Sequence, residues 1–305
     1  MPQRDVERGM RRPATRSRNQ YRREPSVDDP GHHQGHLTSI QKHLVASSGE
    51  FTGTFIWLWT SYAGHLMARH QAPGEAPGGG MLHGTLVATA LAYALPLLAN
   101  IWAFYRISGG LFNPAKTKIT IGLAAASQLA WDRALFLVPA QLLAALAAGG
   151  LVQCMFPWDA GETNTVLAAN VSIAQGVFIE MFMTSQLIFV VLMLAAEKQK
   201  ATYLAPIAIG VAVFGLMICG GYYTGASLNP ARSLGSAVAG LSFPGYHWIY
   251  WVGPGVGGIL GAVYYRIVKL IHYEEVNPGQ DHAGDTSHDG GVLPDGATLP
   301  RNLYA

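Results

Sequence analysis

Charged side chains are scarce in this sequence, and most of those present lie near its two ends. Only 12% of the 305 residues are charged, whereas soluble globular proteins contain about a quarter. Residues 44–270 are largely apolar, and hydrophobic residues make up 50% of the whole chain. This distribution excludes an ordinary soluble domain and predicts an integral membrane protein with polar termini.

Cysteine and the usual catalytic signatures are also nearly absent. The chain has 2 cysteines, both in or beside apolar segments, so we expect neither a disulfide framework nor a metal site. The sequence contains no phosphate-binding glycine loop, zinc-ligand spacing or nucleophile elbow. We therefore predict no enzyme activity, no cofactor, no metal and no nucleic-acid partner.

The two ends of the chain differ in charge. Residues 1–43 are rich in arginine and lack the apolar core of a secretory signal peptide, whereas residues 272–305 are acidic. We expect 1–43 to be a disordered basic tail and 272–305 an acidic tail. The membrane domain between them, 44–271, is the part that carries function.

Six apolar stretches of this domain are long enough to cross a bilayer, which takes about 20 residues. They lie at 44–68, 81–105, 134–155, 171–196, 203–223 and 246–271. Six crossings place both termini on one side of the membrane. The loops after the second and fourth stretches carry Lys and Arg, whereas the loop after the third carries only acids. By the positive-inside rule, we expect both termini to be cytoplasmic.

The tripeptide Asn-Pro-Ala occurs twice, each time at the start of a shorter apolar piece. The copies are Asn113, Pro114 and Ala115, and 116 residues later Asn229, Pro230 and Ala231. Asn is a preferred N-cap and Pro suits the first helical position, so each copy predicts a helix that begins inside the membrane. Each half, 44–155 and 171–271, has three spans, which makes the second copy inverted.

The segments before the two triads, 108–112 and 224–228, are expected to be non-helical. Such backbone survives at membrane depth only inside protein or along a water-filled path. Its carbonyls offer acceptors to water, and the amides of Asn113 and Asn229 offer donors where the two segments meet. Both helix N-termini direct positive partial charge to that point, so we expect cations to be repelled.

Segments 107–115 and 223–233, with Trp251 to Pro254, resemble the signature segments of the major intrinsic proteins, the aquaporin family. The resemblance implies an all-α membrane protein with six transmembrane helices, two re-entrant half-helices and an inverted repeat. It further implies a homotetramer with a pore in every subunit. Glu50 and Glu180 match family positions that accept hydrogen bonds from the re-entrant loops, so we expect them to organise those loops.

The resemblance also locates the narrow filter of the pore. Offsets from the two asparagines place it at Tyr93, Met217, Ala226 and Arg232. Water-selective members usually have His at the Met217 position, so this filter is atypical. Glycerol-conducting members typically have Asp at the position of Ser233, which disfavours glycerol here.

Two further residues are candidates for pore lining or gating. Lys116 follows Asn113 by three residues, as Arg232 follows Asn229, and the family usually has an apolar residue there. Its side chain either narrows the cytoplasmic vestibule of the pore and changes its electrostatic potential, or turns toward the aqueous mouth and has little effect. Tyr21 follows an Arg-rich stretch of the N-terminal tail. This tail would gate the pore by covering its cytoplasmic mouth.

Together these features predict a passive channel that conducts water and excludes protons and ions. Hydrogen peroxide or another small neutral solute is a further candidate for passage beside water. Two other functions remain open: a transporter with alternating access, and a structural protein with a closed or gated pore. We expect a multi-pass protein of the plasma membrane rather than of an internal membrane.

Overall fold

All regular secondary structure in the described part of the chain is helical. The structure, a computed structural model, describes residues 37–71, 83–117, 128–197 and 202–277. Seven helices within these ranges are labelled here in chain order: α1 Ser39–His70, α2 His83–Phe104, α3 Gln128–Met155, α4 Ile173–Val191, α5 Ala205–Thr224, α6 Pro230–Ala239 and α7 Ile249–Leu270.

Six of these helices correspond to the six predicted spans. Four of them, α2 to α5, are long and apolar enough by composition to cross a membrane. Helix α1 is less apolar because it carries polar residues at buried positions, among them Glu50, Thr54 and Ser61. Helix α7 includes Arg266 and Lys269 near its end. Helix α1 also begins at Ser39, five positions before the predicted span.

Helix α6 is the second predicted half-helix. It has 10 residues and begins at Pro230, directly after the N-cap Asn229. Its counterpart is described only as a helical turn at 114–117. The remainder of the first predicted half-helix lies outside the described residues.

The long helices pack in two corresponding sets. Helix α1 packs against α2 and α3, and α4 packs against α5 and α7. Helices α2 and α5 contact each other and join the two sets. On α7, a Cβ atom added at Gly257 or Gly261 would overlap the carbonyl oxygen of Met181 or Ser185 on α4. The glycines therefore permit a close approach of α4 and α7.

A polar cluster ties the end of α4 to the end of α7. A π-helical turn, Leu192–Ala196, leads from α4 to Glu197, which accepts hydrogen bonds from Tyr265 and, at 3.2 Å, from Lys269. Lys269 also donates to Glu274 at 2.6 Å and lowers the pKa of that carboxyl group. The predicted acidic tail thus begins with an ordered turn, Tyr273–Glu275.

Candidate pore

Glu50 on α1 binds the first non-helical segment through both carboxylate oxygens. Its Oε1 accepts from the Ser108 hydroxyl at 2.6 Å and the Leu111 N–H at 2.9 Å. Its Oε2 accepts from the Phe112 N–H at 2.7 Å and the Gln141 amide at 2.7 Å. A buried carboxylate needs several donors, and here the loop backbone supplies two of them.

Glu180 on α4 binds the second segment in the corresponding way. Its Oε1 accepts from the Thr224 hydroxyl at 2.7 Å and the Ser227 N–H at 2.9 Å. Its Oε2 accepts from the Leu228 N–H at 2.8 Å. The two acids therefore contact equivalent positions of the two loops, as the inverted repeat requires.

Both loops also share an uncommon backbone conformation. Phe112 and Leu228, each directly before an asparagine, have φ of 52° and 51°. Non-glycine residues rarely adopt positive φ, and such strain persists only where the surroundings impose it. The carboxylates of Glu50 and Glu180 supply that constraint, because they bind the N–H groups of these two residues.

The two asparagines bind across the junction between the loops. Asn113 donates from Nδ2 to the Leu228 carbonyl at 2.7 Å, and Asn229 donates from Nδ2 to the Phe112 carbonyl at 2.8 Å. Each Oδ1 accepts the N–H two residues further on, at 2.9 Å in both copies. Each side chain thus caps its own helix and binds the opposite loop.

One cavity of about 40 Å³ is lined by these asparagines. A single water needs about 10–15 Å³ of such space, so the cavity suits a few waters. Seven of the predicted site residues line it: Tyr93, Asn113, Lys116, Met217, Ala226, Asn229 and Arg232. The prolines and alanines of the triads are buried at the two helix starts.

Arg232 and Tyr93 of the predicted filter are in direct contact. The guanidinium carbon lies 4.7 Å from the centroid of the Tyr93 ring, within the range of a cation–π interaction. Arg232 is 2% exposed, and its Nε and Nη1 have no hydrogen-bond partner among the described residues. Met217 and Ala226 line the same cavity. An arginine with unpaired donors at a cavity wall can donate to a solute inside it.

Lys116 lies in the cavity wall. It is buried, and its Nζ donates to the Gly110 carbonyl at 3.2 Å. Among the described lining residues, Lys116 and Arg232 are the two cations and no carboxylate is present. The described part of the wall thus carries two basic side chains and no acidic one. The other candidate gating residue, Tyr21, lies outside the described residues.

Several residues that support the site are not identifiable from the sequence alone. Trp57 lines the cavity, and its indole N–H donates to the Tyr93 carbonyl at 3.0 Å. Gln141 on α3 donates to both Glu50 and Thr117. His65 is buried beside Tyr93. His65 and Gln141 are polar residues within apolar helices, which marks them as unusual in the sequence. The sequence does not identify the residue that each of them contacts.

The helices, the paired loops and the cavity between them define a membrane channel protein built from two inverted halves. Its sequence matches the family described as Major intrinsic protein over residues 37–265. The chain belongs to this family, as its signature segments predicted.

Relatives and a solved structure agree with this assignment. "Probable aquaporin-3" of Gibberella zeae is 57% identical over 250 residues, which cover 82% of this chain and 86% of the relative. "Aquaporin-7" of Botryotinia fuckeliana is 43% identical over 244 residues, covering 79% of this chain but 53% of that protein. The X-ray structure of the aquaglyceroporin from Plasmodium falciparum matches with a TM-score of 0.61 at 20% identity, covering 76% of this chain and 98% of that one.

The family fixes the general function. The chain is a passive transmembrane channel for small neutral solutes and is not an enzyme, in agreement with the sequence prediction. The transporter alternative therefore falls away. At 20% identity, the likeness to the aquaglyceroporin supports the fold and leaves the solute open.

Proposed function

We propose that this channel conducts water, with hydrogen peroxide as the next candidate solute, and excludes protons and cations. The observation that carries the proposal is the pair of asparagines that line one narrow cavity and bind each other's loops. Channel selectivity depends on pore diameter, on the donors and acceptors of the wall, and on electrostatic barriers.

The lining at the Tyr93–Arg232 contact favours water over polyols. The cavity, about 40 Å³ in volume, accommodates a few waters. The aromatic Tyr93 and the guanidinium of Arg232 pack against each other and limit the passage on one side. Ser233 follows Arg232 at a position where glycerol-conducting members of the family typically have Asp, and this difference also favours water over glycerol.

The polar groups of the wall favour a single file of water. Nδ2 of each asparagine and the unpaired N–H groups of Arg232 are donors in an otherwise mainly apolar passage. Water that accepts from an asparagine directs its own hydrogens away on both sides. Such an arrangement interrupts the chain of hydrogen bonds that a proton would follow.

The charge of the wall supplies the barrier to cations. Lys116 and Arg232 are both buried at the cavity, and each follows the start of a half-helix. The positive ends of the two half-helix dipoles add to these charges. A cation entering this passage would meet like charge with little water to screen it.

A closed or gated pore is the second candidate, and the Lys116 contact favours it. Its Nζ donates a hydrogen bond to the Gly110 carbonyl, which would otherwise accept a hydrogen bond from water. In that case the protein would need a trigger or would serve a structural role. Low water permeability of the wild type together with high permeability of Lys116→Met would identify this state.

The experiment that tests the proposal is osmotic swelling of proteoliposomes containing the purified full chain. Stopped-flow light scattering measures water and glycerol permeability, and a fluorescent dye measures hydrogen peroxide entry. Vesicles of the same lipid without protein are the control. Fast water flux with a low activation energy supports the proposal, whereas flux equal to that of the control vesicles contradicts it.

We take the protein to be a homotetramer in the plasma membrane, with both termini cytoplasmic and with the channel domain at 44–271. The tail at 1–43 and Tyr21 would cover the cytoplasmic mouth. Unchanged water permeability after deletion of residues 1–36 would argue against gating by the tail.

A further inference from the structure

A histidine on α1 lies behind the aromatic wall of the filter. His65 is 5% exposed, and its Nδ1 lies 3.4 Å from the hydroxyl oxygen of Tyr93. The two rings meet edge to face, with centroids 5.8 Å apart. Imidazole and phenol thus form one hydrogen-bonded pair inside the protein.

The Tyr93 ring connects this histidine to the cation of the filter. Its centroid lies 4.7 Å from the Arg232 guanidinium carbon. Helix α1 also binds the backbone of both filter residues. Trp57 donates to the Tyr93 carbonyl, and Tyr62 donates to the Arg232 carbonyl. These backbone contacts fix the two chain segments, while the His65 contact reaches the end of the Tyr93 side chain.

The position of that ring affects the width of the cavity, because Tyr93 is part of its wall. A tyrosine side chain rotates about two bonds, and a hydrogen bond at its hydroxyl opposes rotation about χ1, which would carry the hydroxyl away from its partner. Met217, which occupies the family's histidine position, is flexible and apolar, so it offers no comparable restraint. The histidine of α1 supplies the polar contact from behind the ring rather than from within the cavity.

We propose that His65 is a positioning residue that sets the solute specificity of the channel by holding Tyr93 under Arg232. The inference deepens the proposed water conduction and rests on it. With the hydrogen bond in place, the ring stays against the guanidinium and the passage remains too narrow for glycerol. Without it, the ring moves and larger neutral solutes enter.

The ratio of glycerol to water permeability in proteoliposomes tests this role. Loss of one hydrogen bond of ordinary strength corresponds to about a five-fold change, so His65→Leu and Tyr93→Phe should each raise the ratio by about that factor. The double variant should raise it no further, because both changes remove the same contact. His65→Gln retains a hydrogen-bonding group and should restore a ratio close to that of the wild type.

His43→Leu is the matched control. His43 is also a buried histidine of α1, stacked on Phe136, and it is not among the residues that line the cavity. A purely structural effect of losing a buried histidine should appear in both variants as a lower melting temperature. A change in the solute ratio should appear only in the His65 variant.

Three results would overturn the inference while leaving water conduction intact. The first is a glycerol-to-water permeability ratio in His65→Leu equal to that of the wild type. The second is a ratio in the double variant that rises by the product of the two single-variant factors. The third applies if His65→Leu does not fold: a wild-type ratio in Tyr93→Phe. A wild-type protein that conducts neither solute overturns the proposed function itself, and the role of His65 with it.

Discussion

Asn113 and Asn229 each donate a side-chain hydrogen bond to the carbonyl that precedes the other asparagine. The same side chains cap the two half-helices through Oδ1. Each asparagine therefore uses its acceptor on its own helix and one donor on the opposite loop. This reciprocal arrangement fixes the distance between the two loops at the centre of the cavity.

Replacing Asn229 by Asp separates the two functions of this side chain. Aspartate still caps the helix, but it cannot donate to the Phe112 carbonyl, and its charge would attract cations. We expect a loss of about 1–3 kcal/mol in stability and a measurable proton leak across pH-gradient vesicles. Asn164→Asp is the control, because Asn164 also donates to a carbonyl, that of Ser242, and is not among the lining residues. Equal leaks in the two variants would count against a special role for Asn229.

Removing the amine of Lys116 should open the passage. Lys116→Met leaves a side chain of similar length and releases the Gly110 carbonyl from its hydrogen bond. We expect water permeability per incorporated protein to rise by about two- to ten-fold, the range that corresponds to one hydrogen bond. Stopped-flow swelling measures this rise, with Lys42→Met as the control, because Lys42 is exposed on α1. Unchanged flux in Lys116→Met would place the amine outside the rate-limiting path.

Substitution of Glu50 by Gln should destabilise the first loop. The amide group of Gln would present hydrogens to donors that now face a carboxylate oxygen. We expect a loss of about 2–4 kcal/mol, seen as a lower melting temperature in detergent. Glu162→Gln, which removes a partly exposed ion pair with Arg69, should cost no more than about 1 kcal/mol. Equal shifts would mean that the carboxylate of Glu50 is not a special support of the loop.

The close packing of α4 and α7 predicts different effects for two glycines on one helix. Gly257→Ala would place a methyl group on the Met181 carbonyl and should cost about 1–3 kcal/mol. Gly255→Ala has open space around the added atom and should leave stability unchanged or slightly higher. Melting temperatures of the two variants measure the difference. Similar destabilisation by both would contradict the packing described here.

The sequence was informative where local rules determine structure. Asn and Pro at a helix start follow capping rules, so the start of α6 at Pro230 was predicted to the residue. The apolar stretches gave the long helices to within a few residues. The resemblance to the aquaporin family places the filter at Tyr93, Met217, Ala226 and Arg232, all of which line one cavity.

Contacts that depend on the rotation and packing of the helices could not be predicted from the sequence. Nothing in its pattern indicates that His65 faces Tyr93 rather than lipid, because the residues are 28 positions apart on two helices. The same holds for Gln141, whose partner Glu50 is 91 positions away. The sequence allows Lys116 to face either the cavity or the aqueous mouth, and the fold places it in the cavity wall with its Nζ donating to the Gly110 carbonyl.

The most direct test of the central claim is simultaneous measurement of water flux and internal pH in vesicles containing the wild-type protein. An osmotic step and a pH step are applied together, with light scattering and an entrapped pH dye as readouts. The arrangement of the asparagines and the two cations predicts water flux well above that of protein-free vesicles, with a low activation energy and no faster pH equilibration. Water flux equal to that of protein-free vesicles, or pH equilibration that accelerates along with water, would contradict the account.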